Sequence, residues 1–226
     1  MNAVNRRPLG RAARALAAGI AVVGVTTLAA AADHRGFVSD GPAGLLVFQP
    51  CQGASASRQA FKVSDKSPDT ALTAGVAAVR QVMEDALRPL YVEFAGEISG
   101  NAVTVRRFQR AIGHIVACGN APTDIAPGTR LHASGAEAGW RFSATPSGAM
   151  LELTPGRPVR FPAAAFAAAR PGRTQVFDAW SVRDGGTVRI EVTEELCVEE
   201  RSETASGARV TLRYASTSVE GCAARF

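Results

Sequence analysis

Residues 67–108 read "SPDTALTAGVAAVRQVMEDALRPLYVEFAGEISGNAVTVRRF" and pass from a helical pattern to a strand pattern within one run. Ser67 is a good N-cap, and Pro68 suits the first helical position, where a missing N–H costs nothing. Leu72, Val76, Val79, Met83 and Leu87 recur at three- and four-residue steps, one apolar helix face that Arg88-Pro89 stops. "LYVEFAGEI" then alternates apolar and polar residues, Ser99-Gly100-Asn101 supplies a turn, and "AVTVRRF" alternates again, which predicts a hairpin.

The reading extends outward from there. Upstream, "GLLVFQPC" is a short apolar run ending at Pro50 and Cys51, a strand. Downstream, "IGHIVAC" predicts a last strand, and "GNAPTDIAPG" (119–128), with two prolines and two glycines, a linker. Residues 129–226 hold short, mostly alternating runs: "GWRFSA", "AMLELTPG", "TQVFDAW", "TVRIEVT", "ARVTLRYA" and "STSVEGC". Pro-Ser-Gly, Pro-Gly, Asp-Gly-Gly and Ser-Gly separate several of them, as in a small antiparallel barrel or sandwich. "FPAAAFAAARPG" is ambiguous, alanine favouring helix and the prolines a loop. The chain is thus expected to be mainly β with one helix, in two domains, 41–118 and 129–226, joined by the 119–128 linker.

The first 31 residues read as a cleaved export signal. Arg6, Arg7, Arg11 and Arg14 precede an apolar stretch from Leu16 to Ala31 that ends in a run of alanines. The stretch is short for a membrane anchor, so no stable anchor is expected and a periplasmic or secreted location is. The whole chain carries 25 basic and 20 acidic residues. Four of the arginines and none of the acids precede residue 32, which leaves 21 against 20, near neutrality. That balance offers no basic field for nucleic acid.

Four cysteines, Cys51, Cys118, Cys197 and Cys222, lie in the exported part. An even number in an oxidising compartment reads as disulfides, and four cysteines allow three pairings. None lies in a C-x-x-C, so zinc and thioredoxin-like spacings are missing.

Candidate chemistry is sparse. His114 and Cys118 are four apart but in a predicted strand, where i and i+4 lie about 13 Å apart. Glu194, Glu195, Glu199 and Glu200 surround Cys197 and read as a solvated strand end, the alternative being paired carboxylates that serve hydrolysis or hold a cation. Arg106, Arg107 and Arg110 form a short basic run, read as a solvated edge with a phosphate site as the alternative. Trp140 and Trp180 fall in predicted strands, as core or as the aromatic wall of a pocket. The G-x-S-x-G, H-E-x-x-H, Walker and Rossmann patterns are absent, so no catalytic residue is named and no enzyme is expected. Cleavage after Ala31 would start the mature chain at Ala32-Asp33-His34. An amine, two amides and an imidazole there form a square-planar set suited to Cu(II).

Two resemblances add to this. Residues 42–120 resemble the C-terminal, OB-fold-like domain of the NlpE-type copper-resistance and envelope-stress lipoproteins, in "GLLVFQPC", the Ala/Leu helix "TALTAGVAAVRQVMEDAL", "LYVEFAGEI" and a closing Cys118. The resemblance implies an OB-fold-like small barrel and a Cys51–Cys118 bond. Residues 131–226 resemble an uncharacterised bacterial exported domain, in Glu137-Ala138-Gly139-Trp140, the Cys197–Ser202 segment and Gly221-Cys222. That resemblance implies fold and a Cys197–Cys222 pairing, a staple worth about 3 kcal/mol for a loop of this length. The function expected is a secreted, non-enzymatic binding or envelope-maintenance module with an envelope protein or small ligand as partner. The alternatives are a small-ligand or copper binder and a hydrolase using paired carboxylates.

Overall fold

The computed structural model describes residues 31–121, 125, 128–135, 139–162, 174–181, 183 and 185–226. The predicted signal segment, most of "FPAAAFAAARPG" and parts of the 119–128 stretch lie outside the described residues. The chain from Ala31 to Phe226 forms one compact unit, in which the described residues make two β-sheets and one α-helix.

The first sheet contains a closed barrel. Its strands are β1 (Ala32–Asp40), β2 (Leu46–Gln52), β4 (Phe61–Asp65), β5 (Leu90–Ser99) and β6 (Ala102–Ile112), with the two-residue β3 (Ser55–Ala56) as an extra pairing on β2. The order runs β6-β4-β2-β1-β5, and β5 pairs with β6 to close the circle. Only β4 and β6 run parallel, and the helix α1 (Ala71–Val82) lies between β4 and β5. A five-stranded barrel of this kind is OB-fold-like. The predicted hairpin is β5–β6, turned at Gly100, whose φ of 58° suits a residue without Cβ.

The helix forms where its pattern placed it, but it is shorter. Leu72, Val76, Val79 and Met83 are buried against the barrel. Leu87 is 85% exposed, because the helix ends at Val82. Asp85 makes a local turn instead: its carboxylate accepts from the Leu87 N–H at 3.1 Å, and its carbonyl from the Arg88 N–H at 3.2 Å. At the other end a short turn, Pro68–Thr70, precedes α1, and Ser67 caps only weakly. Asp65 is the better cap, accepting from the Thr73 N–H at 2.8 Å and from its hydroxyl at 2.9 Å.

The second sheet has eight strands: β7 (Leu131–Gly135), β8 (Trp140–Thr145), β9 (Gly148–Glu152), β10 (Pro158–Pro162), β11 (Thr174–Trp180), β12 (Thr187–Thr193), β15 (Ala208–Tyr214) and β16 (Thr217–Arg225). Its order is β10-β9-β8-β7-β16-β15-β12-β11, with antiparallel pairing throughout. The sheet curls into a nearly closed barrel. Trp140, Phe142, Leu151, Ile190 and Leu212 are fully buried in its packed interior.

Between β12 and β15 the chain leaves this barrel and joins the other. β13 (Cys197–Glu199) pairs with β14 (Thr204–Ser206), and β14 pairs with β6. Ala205 enters the first barrel's core. Residues 197–206, expected in the second domain, therefore belong to the first sheet. The first barrel also begins at Ala32 rather than at residue 41. The "IGHIVAC" strand is corrected as well: β6 ends at Ile112, and Cys118 lies in a short 3-10 turn. The reason is tertiary, since the Gly113 N–H is taken by the distant Glu203 carbonyl and the Gly119 N–H by the Ala54 carbonyl.

Both pairings implied by the resemblances are present, Cys51–Cys118 and Cys197–Cys222. The first ties the end of β2 to the turn after β6, and the second ties β13 to β16. Two disulfides fit an oxidising compartment. Among the described residues no helix is long and apolar enough to cross a membrane.

Candidate functional site

Residues from both sheets meet at a cleft of about 180 Å³, bordered by the start of α1, by β6, by the β12–β13 connection and by the end of β16. Its apolar lining includes Pro68, Ala71, Phe108 and Leu196, and its charged lining Arg107, Glu194 and Arg225. Asp69, Arg106 and Glu195 stand at it as well. The rim beside α1 is conformationally unusual. Asp69 and Thr70 hold successive positive φ angles of 53° and 49°, a conformation that a β-branched threonine rarely adopts.

The charges fall into a definite pattern. Glu194 receives a hydrogen bond from Nη1 of Arg225. Glu195 receives one from Nε of Arg209 at 2.5 Å. Arg106, outermost, approaches Glu97 at 3.6 Å. Arg107 has no hydrogen-bond or ion-pair partner among the described residues, and its Nε is buried. Burial lowers the Arg225 pKa first, Glu194 opposes that shift, and the neighbouring positive charge of Arg107 adds to it. Two guanidinium groups thus stand near each other, and only that of Arg225 is paired with Glu194. The helix start adds little, because the Ala71, Leu72 and Thr73 N–H groups are already taken by the Pro68 carbonyl, the Ser67 hydroxyl and the Asp65 carboxylate.

The basic run and the acidic run, flagged separately in the sequence, both contribute to the lining of this cleft, through Arg106 and Arg107 and through Glu194 and Glu195. Arg110 of the same run goes elsewhere. It is buried in the first barrel with a two-pronged bond to Glu93, Nε to Oε2 at 2.7 Å and Nη2 to Oε1 at 3.1 Å. The Tyr91 hydroxyl donates to the same carboxylate at 2.6 Å. The reading of all three arginines as a solvated edge holds only for Arg106. Glu199 and Glu200 lie past Cys197, in β13 and the turn after it, and line no part of the described cleft.

The remaining sequence candidates are dispersed. Trp140 is 1% exposed in the second barrel's core, with its indole N–H toward the Glu220 carbonyl at 3.3 Å. Trp180 is 54% exposed on β11. A sealed ring and an open one do not form two walls of one pocket. His114 is exposed near the Ser202 carbonyl, and Cys118 is in a disulfide, so the two share no site. Ala32, Asp33 and His34 start β1 in register with Gly96, Ala95 and Phe94. Asp33 accepts from the Gln109 amide at 2.7 Å, and the His34 ring lies 3.2 Å from the Gly96 carbonyl. A four-nitrogen wrap around Cu(II) needs those three residues to leave the ladder. Among the described residues no three His, Cys, Asp or Glu side chains cluster as metal ligands.

Sequence reasoning missed Arg225, Phe108 and the start of α1 as cleft residues. No local pattern marks them, because the cleft forms only when β14 docks on β6. No family model matches this chain, and neither a curated protein nor a solved structure matches it.

Proposed function

We propose that this chain is an exported, non-enzymatic binding or envelope-maintenance module that takes its ligand in the cleft between its two barrels. The observation that carries the reading is Arg107, a permanently charged side chain with a buried, unpartnered Nε at a cleft of about 180 Å³. A buried donor without an acceptor is costly unless something outside the chain completes it. Two disulfides and a signal-like leader support the exported location, and the NlpE-type resemblance of residues 42–120 supports an envelope role. The volume suits a small molecule or one side chain of a partner. Copper bound at residues 32–34 is the alternative, and it would sit on β1 at the level of Ala95, across β5 from Arg107.

Amide spectra of the oxidised chain, recorded with and without a low-molecular-weight extract of cell envelopes, test this reading. Shifts concentrated at residues 68–71, 106–108, 194–196 and 225 are expected. An undisturbed cleft, or chemical turnover of extract components, overturns it.

A further inference from the structure

We propose that the cleft accepts the carboxylate of a small, singly charged organic acid on Arg107 and Arg225, with the acid's apolar body against Phe108 and Leu196. The inference rests on the cleft being the ligand site and adds the chemical class. Three features of the cleft select that class.

The first is the charge count. Three arginines (Arg106, Arg107, Arg225) and three carboxylates (Asp69, Glu194, Glu195) line the cleft, yet Arg107 has no ion-pair partner among the described residues whereas Arg225 is matched by Glu194, so Arg107 is the cation left to take an anion. The second is the kind of anion. A guanidinium presents parallel donors that suit a carboxylate or phosphate fork. Glu194 and Glu195 stand in the same lining, and each is already held by an arginine. A dianionic phosphate would bring a second charge against these carboxylates and Asp69, whereas a carboxylate brings only one, which Arg107 can match. The third is the rest of the wall. Phe108 and Leu196, with Pro68 and Ala71, give a carbon chain an apolar surface beside the guanidinium groups, and free inorganic anions gain nothing from it.

The test uses the full oxidised chain titrated with butyrate, with neutral butyramide and with inorganic phosphate, each at matched ionic strength. The readouts are calorimetry and the Arg107 side-chain resonance. Butyrate is expected to bind saturably and to shift that resonance. Butyramide is expected to bind about tenfold more weakly or not at all, because its neutral carbonyl brings no negative charge to pair with the guanidinium. Arg107→Gln should cost about tenfold in butyrate affinity, and Arg107→Lys less. Arg107 makes no bond to the described chain, so its replacement should leave the fold intact, which circular dichroism checks. If Arg107→Gln does not fold, the butyrate, butyramide and phosphate comparison on the native chain still decides. Phosphate binding tighter than butyrate, equal binding of butyramide, or butyrate binding indifferent to Arg107→Gln overturns the inference. If butyrate fails while envelope extract still shifts cleft resonances, the class is wrong and the site stands. If neither shifts them, both fall.

Discussion

Glu93 is the residue on which the first barrel's buried polar group depends. It lies on β5 opposite Arg35 of β1 and Arg110 of β6, and it accepts from both Tyr91 and Arg110. Glu93→Gln leaves Arg110 buried without a counter-charge, so a loss of about 3 kcal/mol is expected in urea unfolding. The partner change Arg110→Met in that background should recover part of the loss, because it removes the orphaned charge. Tyr91 adds a pH signature. Burial first, then the adjacent Glu93 charge, raises its pKa above the ordinary tyrosine value. In the unfolded chain Tyr91 ionises near pH 10, so above that pH the unfolded state holds fewer protons than the folded one. The stability due to Tyr91 is therefore complete below about pH 10 and falls as pH rises beyond it. Unfolding free energies measured at pH 8 and pH 11 should show that fall, and Tyr91→Phe should flatten it. An unchanged slope in Tyr91→Phe would assign the alkaline loss to other groups. None of this was legible from the alternation of "LYVEFAGEI". That alternation sets which residues share a face, but β5 is covered on both faces, and only the register reveals that Glu93 meets Arg110.

At the scale of elements, the helix and the β5–β6 hairpin were readable because their signals are local: a three-to-four-residue apolar period, a proline start and a glycine turn. Elements whose partners come from far along the chain were not. β1 hides directly behind the alanine-rich leader, and β13 and β14 span three residues each, too few to show a period. The helix also carries a constraint that no propensity scale contains. Gly75 faces the barrel, and a Cβ there would stand 2.7 Å from Cζ of Phe108 and 3.4 Å from Cδ1 of Leu196. Alanine is the better helix former by about 1 kcal/mol, whereas overpacking costs about 1–3 kcal/mol. Packing should win, so Gly75→Ala is expected to destabilise by about 1 kcal/mol despite its propensity. Adding Phe108→Leu, which trims the offending ring, should return some of that loss in chemical denaturation. If Gly75→Ala instead stabilises the chain, the helix sits farther from β6 than described.

For the whole molecule, the strap at residues 197–206 decides how the two barrels behave. The sequence divides at the proline- and glycine-rich stretch 119–128, and composition supports that division. The topology crosses it, because β14 pairs with β6 while β15, two residues later, pairs with β12. The Gly207 N–H donates to the Gln109 carbonyl and the Gly113 N–H to the Glu203 carbonyl, so the strap is bonded to the first barrel along its second half, and β13 joins through β14. Cys197–Cys222 then ties the strap's start to β16 of the second barrel. Unfolding one barrel would strip β14 of its partner and expose Ala205, which is buried in the first core. A single calorimetric transition is therefore expected for the oxidised chain. Replacing Cys197 and Cys222 by serine removes a loop closure of 25 residues. That should lower stability by about 3 kcal/mol and the melting temperature by roughly 10 °C. The transition should stay single even so, because the strap's backbone bonds and Ala205 still couple the barrels. Two resolved transitions in the serine variant alone would mean that the disulfide carries the coupling. Two transitions in the native chain would mean that the barrels are independent and that the division at 119–128 is the physical one. Residues 129–226 expressed alone separate these outcomes further: with β6 absent, β13 and β14 have no sheet to join, and a fragment that nevertheless melts cooperatively would show the strap to be dispensable.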